Sequence, residues 1–256
     1  MPNQRPCVLS IAGFDPSAGA GILSDIKTFE YTGVYGLGVC SALTFQNDIL
    51  FENINWISID DIISQIEILK KRFYFTAVKI GLIENLQCLD TLVDYLKSVN
   101  KNIKIIWDPI LEASAGFKFH KEIDQKLLKK ICSSIYLIIP NWIEVKKLTE
   151  SDAALEGAEI LSQYCNVYLK GGHSEEKTAK DILFSKNEKH LLEQERINTG
   201  SKHGSGCVLS SAITAGLAKG LPLVEACQRA KIYVTEFLKS TDYLIGFHKV
   251  NEKIYV

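Results

Sequence analysis

Apolar runs of strand length alternate with amphipathic stretches along this chain, and the two periods predict its elements. Residues 7–12 read as a first, central strand. Residues 13–21, rich in Gly, Ala, Ser, Asp and Pro, read as a loop leading into a helix. Ile22, Leu23, Ile26 and Phe29 then recur near helical spacing and predict a helix over 22–31. A second strand is expected over 34–44. Ile62, Ile63, Ile66 and Leu69 mark an amphipathic helix over 60–73, with Asp60 or Asp61 near its cap. Further strands fall at 76–80, 103–107, 135–139 and 166–170. Further helices fall at 86–99, 123–131 and about 155–164. A hairpin of 181–184 with 189–192 and two closing helices, about 206–219 and 223–239, complete the pattern.

Such alternation argues for an α/β fold with a mostly parallel central sheet and helices on both faces. No internal repeat, low-complexity tract or interdomain linker interrupts it. The expectation is therefore a single domain over 1–256.

Composition changes this picture little. The chain has 256 residues, 46% hydrophobic and 23% charged, which is ordinary for a globular protein. A core of that size needs no disulfide or metal to hold it. A net charge of −1 offers no broad attraction to nucleic acid or to a membrane surface. No apolar stretch approaches the ~20 residues of a membrane span. Residues 1–6 lack the layout of a signal peptide. The seven cysteines have no CxxC pair and an odd count, so they read as reduced thiols in a cytoplasmic protein.

The candidate chemistry sits where the predicted strands end. Ligands of open parallel sheets bind beyond the carboxyl ends of the strands. Asp15, Gln46-Asn47-Asp48, Gly81, Asp108, Asn141 with Glu144, and Lys170-Gly171-Gly172-His173 follow successive strands. Each singly reads as well as a cap or turn residue; together they share one edge. Asp108 and Glu144 are hard oxygen ligands suited to a hydrated Mg²⁺. Lys170 can neutralise phosphate as a point charge. The strongest segment is His203-Gly204-Ser205-Gly206-Cys207. A glycine turn feeding a helix leaves N–H donors free for an anion. The helix dipole there is expected to lower the pKa of Cys207. The P-loop, the GxGxxG fingerprint and the His-Arg-Asp kinase loop are all absent.

Residues 10–21 together with Asp25-Ile26-Lys27-Thr28 resemble the opening signature of the hydroxymethylpyrimidine/phosphomethylpyrimidine kinases, a ribokinase-like family. Thr44-Phe45-Gln46-Asn47, Val78-Lys79-Ile80-Gly81, Trp107-Asp108-Pro109, Pro140-Asn141 with Glu144, Lys170-Gly171-Gly172-His173 and His203-Gly204-Ser205-Gly206-Cys207 continue it over about residues 7–240. The resemblance implies a three-layer α/β/α sandwich. It implies Mg²⁺–ATP-dependent phosphorylation of an aminopyrimidine alcohol, then of its monophosphate, in thiamine biosynthesis. By motif position, Asp25 and Gln46 would recognise the pyrimidine, with Gly13, Ala20 and Leu82 lining the pocket. Asp108, Asn141 and Glu144 would arrange Mg²⁺ and phosphates, and Lys170 would meet the ATP phosphates. Backbone groups of Gly204, Ser205, Gly206 and Cys207 would hold the transferring group. Family precedent suggests a homodimer. In this branch a cysteine stands at position 207 where most of the superfamily has an aspartate base. Cys207 is thus either the base or a purely positional group.

Departures from the family pattern affect 112–116, expected to be a flap without an assigned phosphate role. Leu82 replaces a frequent Met, a swap that conserves volume. Lys202 reads as solvated or as a phosphate contact. Two other functions stay open: a pyridoxal or pyridoxine kinase, which Gln46 and Cys207 disfavour, and a catalytically silent pyrimidine-binding protein.

Overall fold

A computed structural model of the protein describes residues 5–112, 123–171, 178–195 and 202–248. The chain opens with β1 (Cys7–Phe14), α1 (Gly21–Tyr31), β2 (Tyr35–Gln46), β3 (Phe51–Trp56) and α2 (Ile59–Lys70). It continues with β4 (Phe75–Ile80), α3 (Leu86–Val99), β5 (Lys104–Trp107), α4 (Gln125–Ser134), β6 (Leu137–Ile138) and α5 (Trp142–Thr149). It closes with α6 (Ala154–Ser162), β7 (Asn166–Leu169), β8 (Thr178–Ser185), β9 (Glu188–Glu195), α7 (Ser205–Ala218) and α8 (Leu223–Lys239).

Among the described residues the strands form one sheet in the order β3-β2-β1-β4-β5-β6-β7-β8-β9. Its centre is parallel, and β3, β8 and β9 join antiparallel. Alternation along each central strand divides the two faces. Leu9 and Ile11 of β1, Val78 and Ile80 of β4, and Ile105 and Trp107 of β5 belong to the core beneath α2–α6. Ala77 and Ile106 belong to the opposite core, with α7 and α8. The expected α/β/α sandwich is the fold.

Two elements escaped the sequence pattern. β3 is an edge strand whose positions are half-buried or exposed, so no apolar run marks it. The Asn47 side chain accepts from the Ile49 and Leu50 N–H groups and turns β2 back into it. Helix α5 spans only two turns and hides behind the predicted turn at Pro140-Asn141. In contrast, β6 is shorter than the predicted 135–139, with two residues. The β8–β9 hairpin is longer than predicted.

The chain leaves β1 toward β2 on one side and returns to β4 on the other. Loops that leave in opposite directions open a crevice at the carboxyl ends of these strands.

Candidate active site

That crevice is an open cavity of about 810 Å³, a size suited to a small-molecule ligand. Each loop contributes. Gly13 lines it from the end of β1, Ala20 from the β1–α1 connection, Gln46 from the end of β2, and Leu82 from just beyond β4. Asp108 follows β5, Asn141 and Glu144 open α5, and Lys170 follows β7. Gly204, Ser205, Gly206 and Cys207 bring in the start of α7.

Gly204 is the N-cap of α7, in the left-handed region at φ 74°. A Cβ there would stand 2.0 Å from the Gly19 carbonyl oxygen. No side chain caps this helix; the Ser205 N–H donates to the Lys202 carbonyl at 3.2 Å, and the Gly206 and Cys207 N–H groups are left for an external acceptor. A Cβ on Gly206 would lie 3.7 Å from Lys170 Nζ and 3.9 Å from Asp108 Oδ2. The ammonium and the carboxylate therefore lie at the uncapped helix start. Gly204→Ala is expected to abolish measurable turnover and lower the melting temperature. The left-handed backbone costs an L-residue about 1–2 kcal/mol before the overlap is counted. Wild-type kcat in this variant would remove the turn from the site.

Lys170 bridges two acids, at 2.8 Å to Asp108 Oδ1 and 3.4 Å to Glu144 Oε2. Burial pushes the Asp108 carboxyl up, but Lys170, Lys79 and a 3.0 Å hydrogen bond from Ser210 outweigh it and leave it below its ordinary value. Burial likewise raises Glu144; Lys170 only partly offsets it, and the Asp108 charge adds to the rise. Asn141 and Glu144 form a capping box. The Asn141 side chain accepts from Ile143 and Glu144 N–H, and Glu144 Oε2 accepts from Asn141 N–H at 2.6 Å. The Asn-x-x-Glu spacing is thus a helix start as well as a pair of cavity ligands. Lys147, which pairs with Glu112 at 2.8 Å, lies on the same rim.

Comparison with known proteins decides among the readings of such a site. The family profile for phosphomethylpyrimidine kinase matches residues 15–251. The chain is 33% identical to a hydroxymethylpyrimidine/phosphomethylpyrimidine kinase of Rhizobium meliloti over 245 residues, 92% of this chain and 91% of that one.

The chain belongs to the phosphomethylpyrimidine kinase family.

Its structure resembles the phosphomethylpyrimidine kinase of Clostridium difficile 630, with a TM-score of 0.76 at 32% identity, covering 91% of this chain and 99% of that one. It also resembles a Bacillus subtilis pyridoxal kinase solved as an ADP complex, with a TM-score of 0.80 at 26% identity, covering 91% and 92% of the two chains. The protein is a kinase, a phosphotransferase of small molecules.

In this cavity Gln46 Nε2 donates to Thr44 Oγ1 at 2.9 Å, and Thr44 in turn donates to the Phe14 carbonyl at 2.7 Å. The chain of bonds orients the amide and leaves its oxygen and second N–H for a ligand. A Cβ on Gly13 would meet Leu82 Cδ2 at 3.0 Å, so glycine there lets Leu82 close in.

Three expectations are corrected. Asp25 does not line the cavity. It is fully buried in α1, where both its oxygens accept from Lys79 Nζ at 2.8 Å. Ser10 and Ser211 complete its shell at 2.5 and 2.7 Å. Its helical position turns it toward α7 and β4, beneath the pocket floor. Lys202 is not solvated, although it lines the cavity. It is 4% exposed, and its ammonium donates to the Thr241 and Tyr243 carbonyls. Finally, the Cys207 thiol is pushed up to about 11 instead of down. Burial is the largest cause; the Lys79 charge and the Gly21 N–H oppose it, while Asp25 and Asp108 add to it.

Two residues without an assigned role matter here. Lys79 is the buried cation nearest in effect to Cys207, and its signal was a lysine inside an otherwise apolar strand. His203 lines the cavity and joins Asp15 at 2.8 Å; its signal was its place before the glycine turn. The remainder of the expected flap, 113–116, lies outside the described residues, as do Gly172 and His173.

Proposed function

We propose that the protein phosphorylates 4-amino-5-hydroxymethyl-2-methylpyrimidine and then its monophosphate, with ATP as donor, in thiamine biosynthesis. The observation that carries the reading is the meeting of Lys170, Asp108 and the uncapped start of α7 in the same cavity as Gln46 and Leu82. The Gln46 amide matches the ring nitrogen and exocyclic amine of an aminopyrimidine, and Leu82 supplies an apolar wall. Lys170 neutralises the phosphates, with Asn141 and Ser205 beside them. The Gly206 and Cys207 N–H groups at the start of α7 hold the phosphoryl oxygens as charge shifts toward the leaving ADP.

Asp108 and Glu144, two carboxylates against one ammonium, suit a hydrated divalent cation. Among the described residues no three His, Cys, Asp or Glu gather, so these two acids, phosphate and water would hold Mg²⁺. When bound, it would neutralise phosphate charge. Cys207 takes the hydroxyl proton in its thiolate form, and the loose transition state asks for that transfer late.

The same reading makes the protein a cytoplasmic homodimer of single-domain subunits. Seven free thiols support a reducing compartment. Leu43, Phe45 and Ile49, exposed on the β2–β3 hairpin, support an apolar contact between copies. Among the described residues no helix is long and apolar enough to cross a membrane.

The test is Mg²⁺–ATP turnover of hydroxymethylpyrimidine, its monophosphate and pyridoxal, with products resolved by mass. Mono- and pyrophosphate from the pyrimidines, and little from pyridoxal, is the expected result. The likeness to the Bacillus pyridoxal kinase makes turnover of pyridoxal alone the outcome that would reverse the assignment.

A further inference from the structure

The loop that carries Gly13 and Ala20 and the phosphate cradle at Gly204–Cys207 lie nearly two hundred positions apart, yet a buried polar contact joins them. Asp15, the first residue beyond β1, is fully buried. Its Oδ1 accepts from the Ser17 N–H at 2.9 Å and the Ser17 hydroxyl at 2.8 Å. Its Oδ2 accepts from the Ala20 N–H at 2.8 Å and meets His203 Nε2, also at 2.8 Å. One carboxylate therefore folds the loop that carries Ala20 and grips the residue before Gly204.

The contact leaves little slack. The Gly204 backbone lies so near Gly19 that a Cβ would overlap the Gly19 oxygen. A Cβ on Gly19 would in turn stand 2.5 Å from His203 Cδ2. The His203 N–H donates to the Leu244 carbonyl at 2.9 Å, so the backbone at 203 is held from the far side as well. A carboxylate only accepts, so His203 Nε2 carries the proton. The opposite ring nitrogen, Nδ1, is buried with no hydrogen-bond partner among the described residues. A buried polar atom without a partner costs stability. Among the described residues the ring's one polar partner is thus Asp15.

We propose that Asp15 and His203 are a positioning pair, setting the distance between the substrate loop at Gly13–Ala20 and the phosphate cradle at Gly204–Cys207. Neither needs to touch the reacting atoms. Their contact decides where the acceptor hydroxyl stands relative to the phosphoryl group. Phosphoryl transfer depends chiefly on such positioning. This inference rests on the kinase reading above and adds two residues to it.

The experiment compares kcat and KM, per folded molecule, for the wild type, His203→Leu, His203→Gln, Asp15→Asn and the Asp15→Asn/His203→Leu double variant. The acceptor is whichever alcohol the wild type phosphorylates, pyrimidine or pyridoxal. The substrate assignment is thereby judged on the wild type, and the pair on the ratios. His203→Leu is expected to lose about 10–100-fold in kcat, as a misplacement of roughly 1 Å does, with KM within about threefold. His203→Gln, whose amide can still donate to Asp15, is expected to recover most of that loss. The double variant should be little worse than His203→Leu alone, because both changes break one contact. A merely structural contact would lower the melting temperature and leave kcat of the folded fraction unchanged. That outcome, or strictly additive losses in the double variant, would overturn the proposal.

Discussion

Cys207→Ala is expected to lower kcat about 10³-fold while leaving KM for the pyrimidine within about threefold, the signature of a lost proton acceptor. The pH profile carries the sharper test. Burial pushes the thiol up to about 11 against the opposing Lys79 charge. The thiol form therefore dominates throughout the neutral range, and the thiolate grows tenfold with each pH unit below that value. If the thiolate is the base, wild-type kcat rises with pH between about 7 and 10 and falls as pH drops. Cys207→Ala should lose this slope along with the rate. A flat wild-type profile, with the alanine variant still slow, would leave Cys207 a purely positional role. Wild-type turnover in the variant would remove it from the mechanism altogether.

The largest effect on stability is expected from Lys79→Met. Lys79 and Asp25 are both fully buried and paired through both carboxylate oxygens. Burial alone would strip the Lys79 proton, yet the Asp25 charge, with Asp108 behind it, holds the ammonium firmly charged. Removing one partner of such a pair leaves an uncompensated buried charge and costs about 3–5 kcal/mol. For a chain of this size that is a fall of roughly 6–20 °C in melting temperature. The double variant Lys79→Met/Asp25→Leu should recover more than half of the loss, because no charge is then left without a partner. Chemical denaturation of the three variants checks this. A loss below about 1 kcal/mol in the single variant would show that the pair contributes little. The pair also ties α7 to the sheet: Ser211 of α7 donates to Asp25, and Lys79 comes from β4. Lys79→Met should therefore slow turnover of the molecules that remain folded.

The sequence carried the central strands and most helices, and every residue to which it gave a site role except Asp25 lines the cavity. Gly13, Gln46, Asp108, Lys170 and Gly204 were legible because each stands at or just beyond the end of a strand or opens a helix, and turn chemistry is local. β3 was missed because an edge strand with half-exposed positions has no apolar run to betray it. Helix α5 was missed for its length, although Asn141 and Glu144 were both singled out; their spacing is its capping box.

The sequence by itself determined the order of the elements other than β3 and α5, the parallel class of the sheet and the edge on which the chemistry collects. All three follow from periodicity and from residues that act within a turn of themselves. Tertiary structure alone decided which polar residues face the ligand and which face one another. Asp25 finds Lys79 54 positions away, Lys202 finds the Tyr243 carbonyl 41 away, and Asp15 finds His203 188 away. It also decided the state of Cys207. A helix start favours the thiolate, but the cost of removing it from water depends on everything packed around it, and here that cost prevails.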